Sequence, residues 1–106
     1  MAVLKRLYQG SPTTETTLFT ATAGTTVIVK QVAVANTTSG PLWYSLSVVP
    51  TGGTAGVANR ITYQLPVAAA SVIRDDLFQV LAAGDFLSGI VQATGVVLTI
   101  SGVELP

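Results

Sequence analysis

The sequence contains no cysteine and no histidine. Without cysteine there are no disulfides and no thiol chemistry, and the redox compartment leaves no mark on the chain. Without histidine the commonest general base is missing, and losing both residues removes the commonest metal ligands. Charge is scarce as well. Only 9% of the 106 residues are charged, and five basic side chains balance five acidic ones. Ordinary globular chains carry roughly 25%. A neutral, charge-poor surface does little to hold molecules apart, so self-assembly or docking onto a larger particle is expected. A monomer with a bland Ser/Thr/Gly surface is the alternative.

Long apolar runs are absent too. Mean hydropathy is positive, yet Thr, Ser, Gly or a charge interrupts every apolar stretch well before the roughly 18 residues of a membrane span. Met1-Ala2-Val3-Leu4 runs straight into Lys5-Arg6, and polar residues follow. The apolar segment that a signal peptide places after its basic residues is not there. The expectation is a single domain, residues 1–106, with no membrane partner.

What remains is rich in valine and threonine, β-branched residues that suit a pleated sheet and disfavour helix. Short alternating runs recur, each closed by a turn signal, as in a sandwich or barrel. Strands are expected at Ala2–Tyr8, Thr16–Thr20, Thr25–Ala35, Leu42–Val49 and Ala58–Leu65. In the third, Ile28, Val32 and Val34 share a face with Lys30. In the fifth, Ile61, Tyr63 and Leu65 face inward, and Pro66 ends it. Pro50–Gly56 reads as a flexible loop. The segment Val67–Ala83 fits either an amphipathic helix or a strand, and a strand followed by a short helical turn is favoured. Phe86–Ala93 and Val96–Val103 flank Thr94-Gly95 and are expected to form a tight hairpin. The fold class is all-β: a single antiparallel β-sandwich, jelly-roll-like, of about eight short strands.

Catalytic constellations are hard to assemble from these residues. Asp75 and Asp76 are adjacent, so an extended backbone points them to opposite faces, and turn or capping roles suit them better than paired acid–base work. Asp85 after Gly84 is a turn residue. A serine nucleophile would need Lys5 or Lys30 as its base, and nothing sets either beside a particular serine. Gly52-Gly53-Thr54-Ala55-Gly56 superficially resembles a phosphate loop but lacks the Gly-Lys-Ser/Thr that opens a helix. Lys5, Arg6, Lys30, Arg60 and Arg74 are scattered and cancelled by acids, which does not suit nucleic acid. No catalytic residue, metal, cofactor or small-molecule substrate is expected. The aromatics read mainly as core, although Trp43 beside Tyr44 means that one of the two points away from it.

The chain resembles the small β-sandwich structural proteins of tailed bacteriophage virions, among them decoration, minor capsid and minor tail components. The resemblance is carried by Leu4-Lys5-Arg6-Leu7-Tyr8, by Val27-Ile28-Val29-Lys30-Gln31-Val32-Ala33-Val34 with Ala35-Asn36-Thr37, and by Ser45-Leu46-Ser47-Val48-Val49-Pro50. Ala58-Asn59-Arg60-Ile61, Val80-Leu81-Ala82-Ala83-Gly84-Asp85-Phe86-Leu87 and Leu98-Thr99-Ile100-Ser101-Gly102-Val103-Glu104 complete it. It implies a virion location and a non-enzymatic subunit that binds the major capsid protein or other virion subunits, as a homo-oligomer. A capsid decoration subunit comes first, a tail component second, and a carbohydrate- or receptor-binding module third. Contacts are expected at Leu4, Leu7, Tyr8, Trp43, Tyr44, Thr51 and Thr54.

Overall fold

The computed structural model describes residues 2–106. Eight strands follow one another: β1 (Val3–Gly10), β2 (Thr16–Thr20), β3 (Thr26–Asn36), β4 (Leu42–Val49), β5 (Arg60–Val67), β6 (Ser71–Leu81), β7 (Phe86–Val91) and β8 (Val96–Leu105). They form two four-stranded antiparallel sheets, β1-β8-β3-β6 and β2-β7-β4-β5. The pairs β1/β8, β2/β7, β3/β6 and β4/β5 are nested, as if one long hairpin had been rolled up. That order is a jelly roll, which turns a linear run of strands into two packed layers.

The inner faces bury Val27, Val29, Val32 and Val34 of β3 and Val96, Leu98 and Ile100 of β8 against Tyr44 and Leu46 of β4, with Leu87 and Val91 of β7. Strict alternation cannot put all four β3 valines inside, because two are at odd and two at even positions. A bulge at Lys30 supplies the change of phase: Val29 pairs with Gly102 and Gln31 with Ser101, which leaves Lys30 over. The irregularity crosses the whole sheet at that level. Leu7 is extra in β1 opposite β8, and β6 carries an extra residue around Leu77 and Phe78 opposite Lys30. Bulges bend and twist a sheet, and here they also keep the interior apolar. The expected face of Ile28 and Lys30 with Val32 and Val34 is therefore corrected: Ile28 and Lys30 point outward.

Three further expectations change. Val67–Ala83 holds no helical turn; Ser71–Leu81 is one long strand, with Asp75 and Asp76 in its middle opposite Val32 and Gln31 and not in a turn. The helical turn lies instead at Val57–Asn59, before β5. Pro66 falls inside β5, which tolerates it because β5 is the end strand of its sheet. The strands flanking Thr94-Gly95 lie where expected but do not pair. β7 joins β4 and β2, β8 joins β1 and β3, and the turn carries the chain across the sandwich. Alternation marks which residues face inward and is silent on which strand lies alongside.

Gly102 sits where the bulges meet. A Cβ there would collide with the Ile28 carbonyl oxygen and press on the Leu7 side chain, which occupies the space that the glycine leaves. Gly102→Ala is expected to cost about 2 kcal/mol or more through overpacking at a site that cannot relax. Urea denaturation checks this; an unchanged midpoint would show that the bulges can rearrange.

Candidate interaction surfaces

The residues expected to make contacts do not form one patch. Leu7 and Tyr44 are buried and belong to the core, so they offer no surface. Tyr8 is half-buried and packs against that core. Trp43 is half-buried on the outer face of β4, an interior strand, opposite Pro66; its N–H donates to Gln92 Oε1 and its carbonyl accepts from the Gln92 N–H. Thr51 is exposed but committed. Its N–H and hydroxyl donate to Asp85 Oδ1 at 3.0 and 3.1 Å, while Ala82 N–H donates to Asp85 Oδ2 at 3.0 Å. Asp85 is thus a turn residue, and these bonds, the one from the Thr51 N–H first, hold its carboxyl below the usual range. Thr54 is exposed and lines a shallow groove with Glu15, Phe86 and Ser88. Leu4 is free on the surface, at 85% exposed.

Leu4 heads an apolar row on the outside of its sheet. The register aligns Leu4 with Val103, Val103 with Ile28, and Ile28 with Val80, all pointing away from the core. Phe78 stands next to this row, with the Lys30 ammonium 5.0 Å from its ring centroid. The next outward row is Arg6, Ser101, Gln31 and Asp76, where Gln31 Nε2 donates to Asp76 Oδ1 at 3.1 Å. Arg74 follows on β6. A shallow groove of about 510 Å³ runs along Leu4, Arg6, Lys30 and Val103. This sheet is apolar on both faces at one end, the pattern of a sheet covered on both sides. The row could be read from the sequence only with the bulge known, since Ile28 and Val32 would otherwise be assigned to one face.

The outer face of the other sheet carries, beside apolar Trp43, Ile90 and Phe86, a polar cluster that knits it together. Arg60 Nη2 donates to Glu15 Oε1 at 2.7 Å and Arg60 Nη1 to Ser47 Oγ at 2.9 Å, while Ser88 Oγ donates to Glu15 Oε2 at 2.7 Å. This cluster fastens the segment before β2 and the start of β5 onto β4 and β7. Glu15 and Arg60 are 45 residues apart, and nothing in the sequence marked Glu15. Burial opposes the Glu15 charge, but the hydrogen bonds from Arg60 and Ser88 and the Arg60 charge outweigh it, holding the carboxyl below its ordinary 4.5. No group of three or more Asp or Glu side chains placed to hold a metal occurs among the described residues, and no helix is long and apolar enough to cross a membrane.

A single jelly-roll sandwich, one sheet of which carries an exposed apolar row, is the class that this geometry defines. Among solved structures, a chain in the structure of infectious bursal disease virus, Gx strain, is similar to it over 98% of its length, with a TM-score of 0.53 and 13% sequence identity. The chain spans about 30% of the length of that viral chain, and at this identity the likeness is one of fold. No family model matches the sequence, and no curated protein does.

Two predictions test the interior and the polar cluster. The Tyr44 hydroxyl is buried and makes no hydrogen bond; its approach to Thr62 falls short of one. Burial first, then the charge of Asp75, pushes its pKa from 10.0 up to about 12. A folded-state value above the unfolded one means that ionisation opposes folding, so stability is untouched below pH 10.0 and falls as pH rises toward about 12. Tyr44→Phe is expected to remove that alkaline loss and to raise stability at neutral pH by about 1 kcal/mol, since it deletes an unsatisfied polar group; denaturation at pH 7 and pH 11 measures both effects. For Glu15 the sign is opposite. Its folded value is depressed, so its contribution is full above 4.5 and fades as pH falls through the folded value. Arg60→Met is expected to cost about 1–2 kcal/mol at neutral pH, with solvent screening included. The gap from wild type should narrow below pH 4; a pH-independent gap would mean that Arg60 acts by packing alone.

Proposed function

We propose that this chain is a non-enzymatic structural subunit of a virus particle, attached in many copies to the outside of the shell as a reinforcing or decoration subunit. The observation that carries the reading is the apolar outer row Leu4, Val103, Ile28 and Val80 on one sheet of the jelly roll. A sandwich needs one apolar face per sheet to fold, so a second one is surplus to folding and is available for docking. Its rim carries Arg6, Lys30 and Arg74 against Asp76. That balance suits a shell subunit presenting apolar and acidic side chains. Fold likeness to a chain from a virus structure and the resemblance to tailed-phage virion components support the same reading. The low charge of the whole chain suits close repetition on a lattice.

Quantitative mass spectrometry of purified particles from its source gives the copy number relative to the major shell protein. A comparable ratio is the expected result. A ratio matching a few rings would move the protein to the tail, and absence from particles would sink the virion reading. Leu4→Asp tests the docking face: occupancy should fall at least tenfold while the thermal unfolding midpoint is unchanged, because Leu4 is 85% exposed. Deleting the N-terminal residues through Leu7 would be a poorer test, since it also removes a core side chain.

A further inference from the structure

The sandwich has four end strands, and three of them are ill-suited to pairing. β2 has five residues. β5 contains Pro66 and is broken by Gln64 in the left-handed region, φ 46°. β1 carries Lys5, Arg6 and the Leu7 bulge. Short strands, proline, bulges and edge charges are the usual guards against adding a strand. β6 differs. It runs 11 residues, and the N–H and C=O groups along its outer edge have no strand partner among the described residues. It also borders β5 on one open side of the sandwich. Tyr63 and Leu65 of β5 are exposed by 58 and 39%, and Val72, Phe78 and Val80, on the outer face of β6, by 54, 64 and 49%. Most of the large apolar side chains left in solvent are therefore on β5 and β6.

We infer that β6 is a homodimer interface, pairing antiparallel with β6 of a second copy about a two-fold axis at Asp75 to make one continuous eight-stranded sheet. The strand is complementary to itself in that register. On the outer face each Arg74 stands opposite Asp76 of the second copy, twice over, and each Val72 opposite Phe78. On the inner face Ile73 meets Leu77. The bulge at Leu77 and Phe78 ends the ladder. Each neighbouring register also sets one like-charged pair on the axis, Arg74 against Arg74 or Asp76 against Asp76, but only this one adds two Arg74–Asp76 pairs, so charge favours it. Asp75 faces its own copy across the axis. This inward carboxylate weakens the contact and disfavours uncontrolled edge pairing. The dimer stands on the strand itself and not on the viral reading, although joining two sheets edge to edge doubles the outer apolar face proposed to dock.

Sedimentation velocity of the full chain over a concentration series should show a reversible monomer–dimer equilibrium. Arg74→Glu and Asp76→Arg should each weaken it by about tenfold or more, from the loss of two cross-strand ion pairs and the gain of like-charge pairs. The double exchange R74E/D76R should restore it, and Asp75→Asn should tighten it. The register is tested by disulfide trapping, because the chain has no cysteine of its own. Asp75→Cys lies opposite itself at the roughly 4.5–5.5 Å Cα spacing of facing antiparallel residues, within disulfide reach. It should cross-link under mild oxidation. Val72→Cys, roughly 20 Å from its own copy by strand rise, should not, although Val72 is the more exposed and would dominate random collisions. A monomer at all concentrations, a dimer indifferent to both charge reversals, or cross-linking through Val72→Cys in preference to Asp75→Cys would each overturn the inference. None of these outcomes bears on copy number in particles, so the two proposals can fail separately.

Discussion

The structure depends on the change of phase in β3. Val27 and Val29 precede Lys30, Val32 and Val34 follow it, and all four are fully buried. Without the bulge one pair would face solvent, and the central strand would bury half of its apolar side chains. The irregularity extends sideways because hydrogen-bonded neighbours must accommodate it. Leu7 in β1, the missing side chain at Gly102 in β8 and the extra residue of β6 lie at one level. A single packing demand at the centre of one sheet thus sets local geometry in four strands.

The two sheets solve their outer faces differently. In the sheet of β2, β7, β4 and β5, buried Ser47 and Ser88 lie beneath a cover of Arg60 and Glu15 and hydrogen-bond to it, while the buried Ser45 hydroxyl accepts from the Gln64 N–H of β5. That face is finished. In the sheet of β1, β8, β3 and β6, the outer face holds Leu4, Val103, Ile28, Val80 and Phe78 with few polar partners. One outer face is thus tied together by its own polar groups, while the other carries an apolar row beside the charges of Arg6, Lys30, Arg74 and Asp76. This asymmetry argues for an interaction more strongly than the average composition does.

Polar groups placed inside show the same economy. Asn36, buried at the end of β3, donates to the carbonyls of Gly40 and Val67, both at 2.9 Å, and accepts from the Thr38 N–H and hydroxyl. One amide holds the β3–β4 turn and the end of β5. The Tyr44 hydroxyl, by contrast, has no partner. Its ring is fully buried in the core, and the hydroxyl is carried along to within the influence of the Asp75 charge.

The sequence by itself determined the class. Valine and threonine in short alternating runs with Gly/Pro/Asn/Asp punctuation specify strands and turns locally, so most strand positions, the all-β sandwich and the turn role of Asp85 were legible residue by residue. The long strand Ser71–Leu81, with its central charges, was not. Tertiary structure alone decided the pairing and the phase. Alternation assigns a side chain to a face relative to its own strand, so it could neither tell that β7 and β8 lie in opposite sheets nor foresee that a bulge would turn Ile28 and Lys30 outward. Tyr44 and Leu7 were read as surface and proved to be core for the same reason. Glu15 meets Arg60 only because the rolled-up strand order brings distant segments together, and the apolar row from Leu4 to Val80 draws its members from four strands. A surface made across strands has no pattern along the chain, because its spacing is set by hydrogen-bonded register and not by sequence distance.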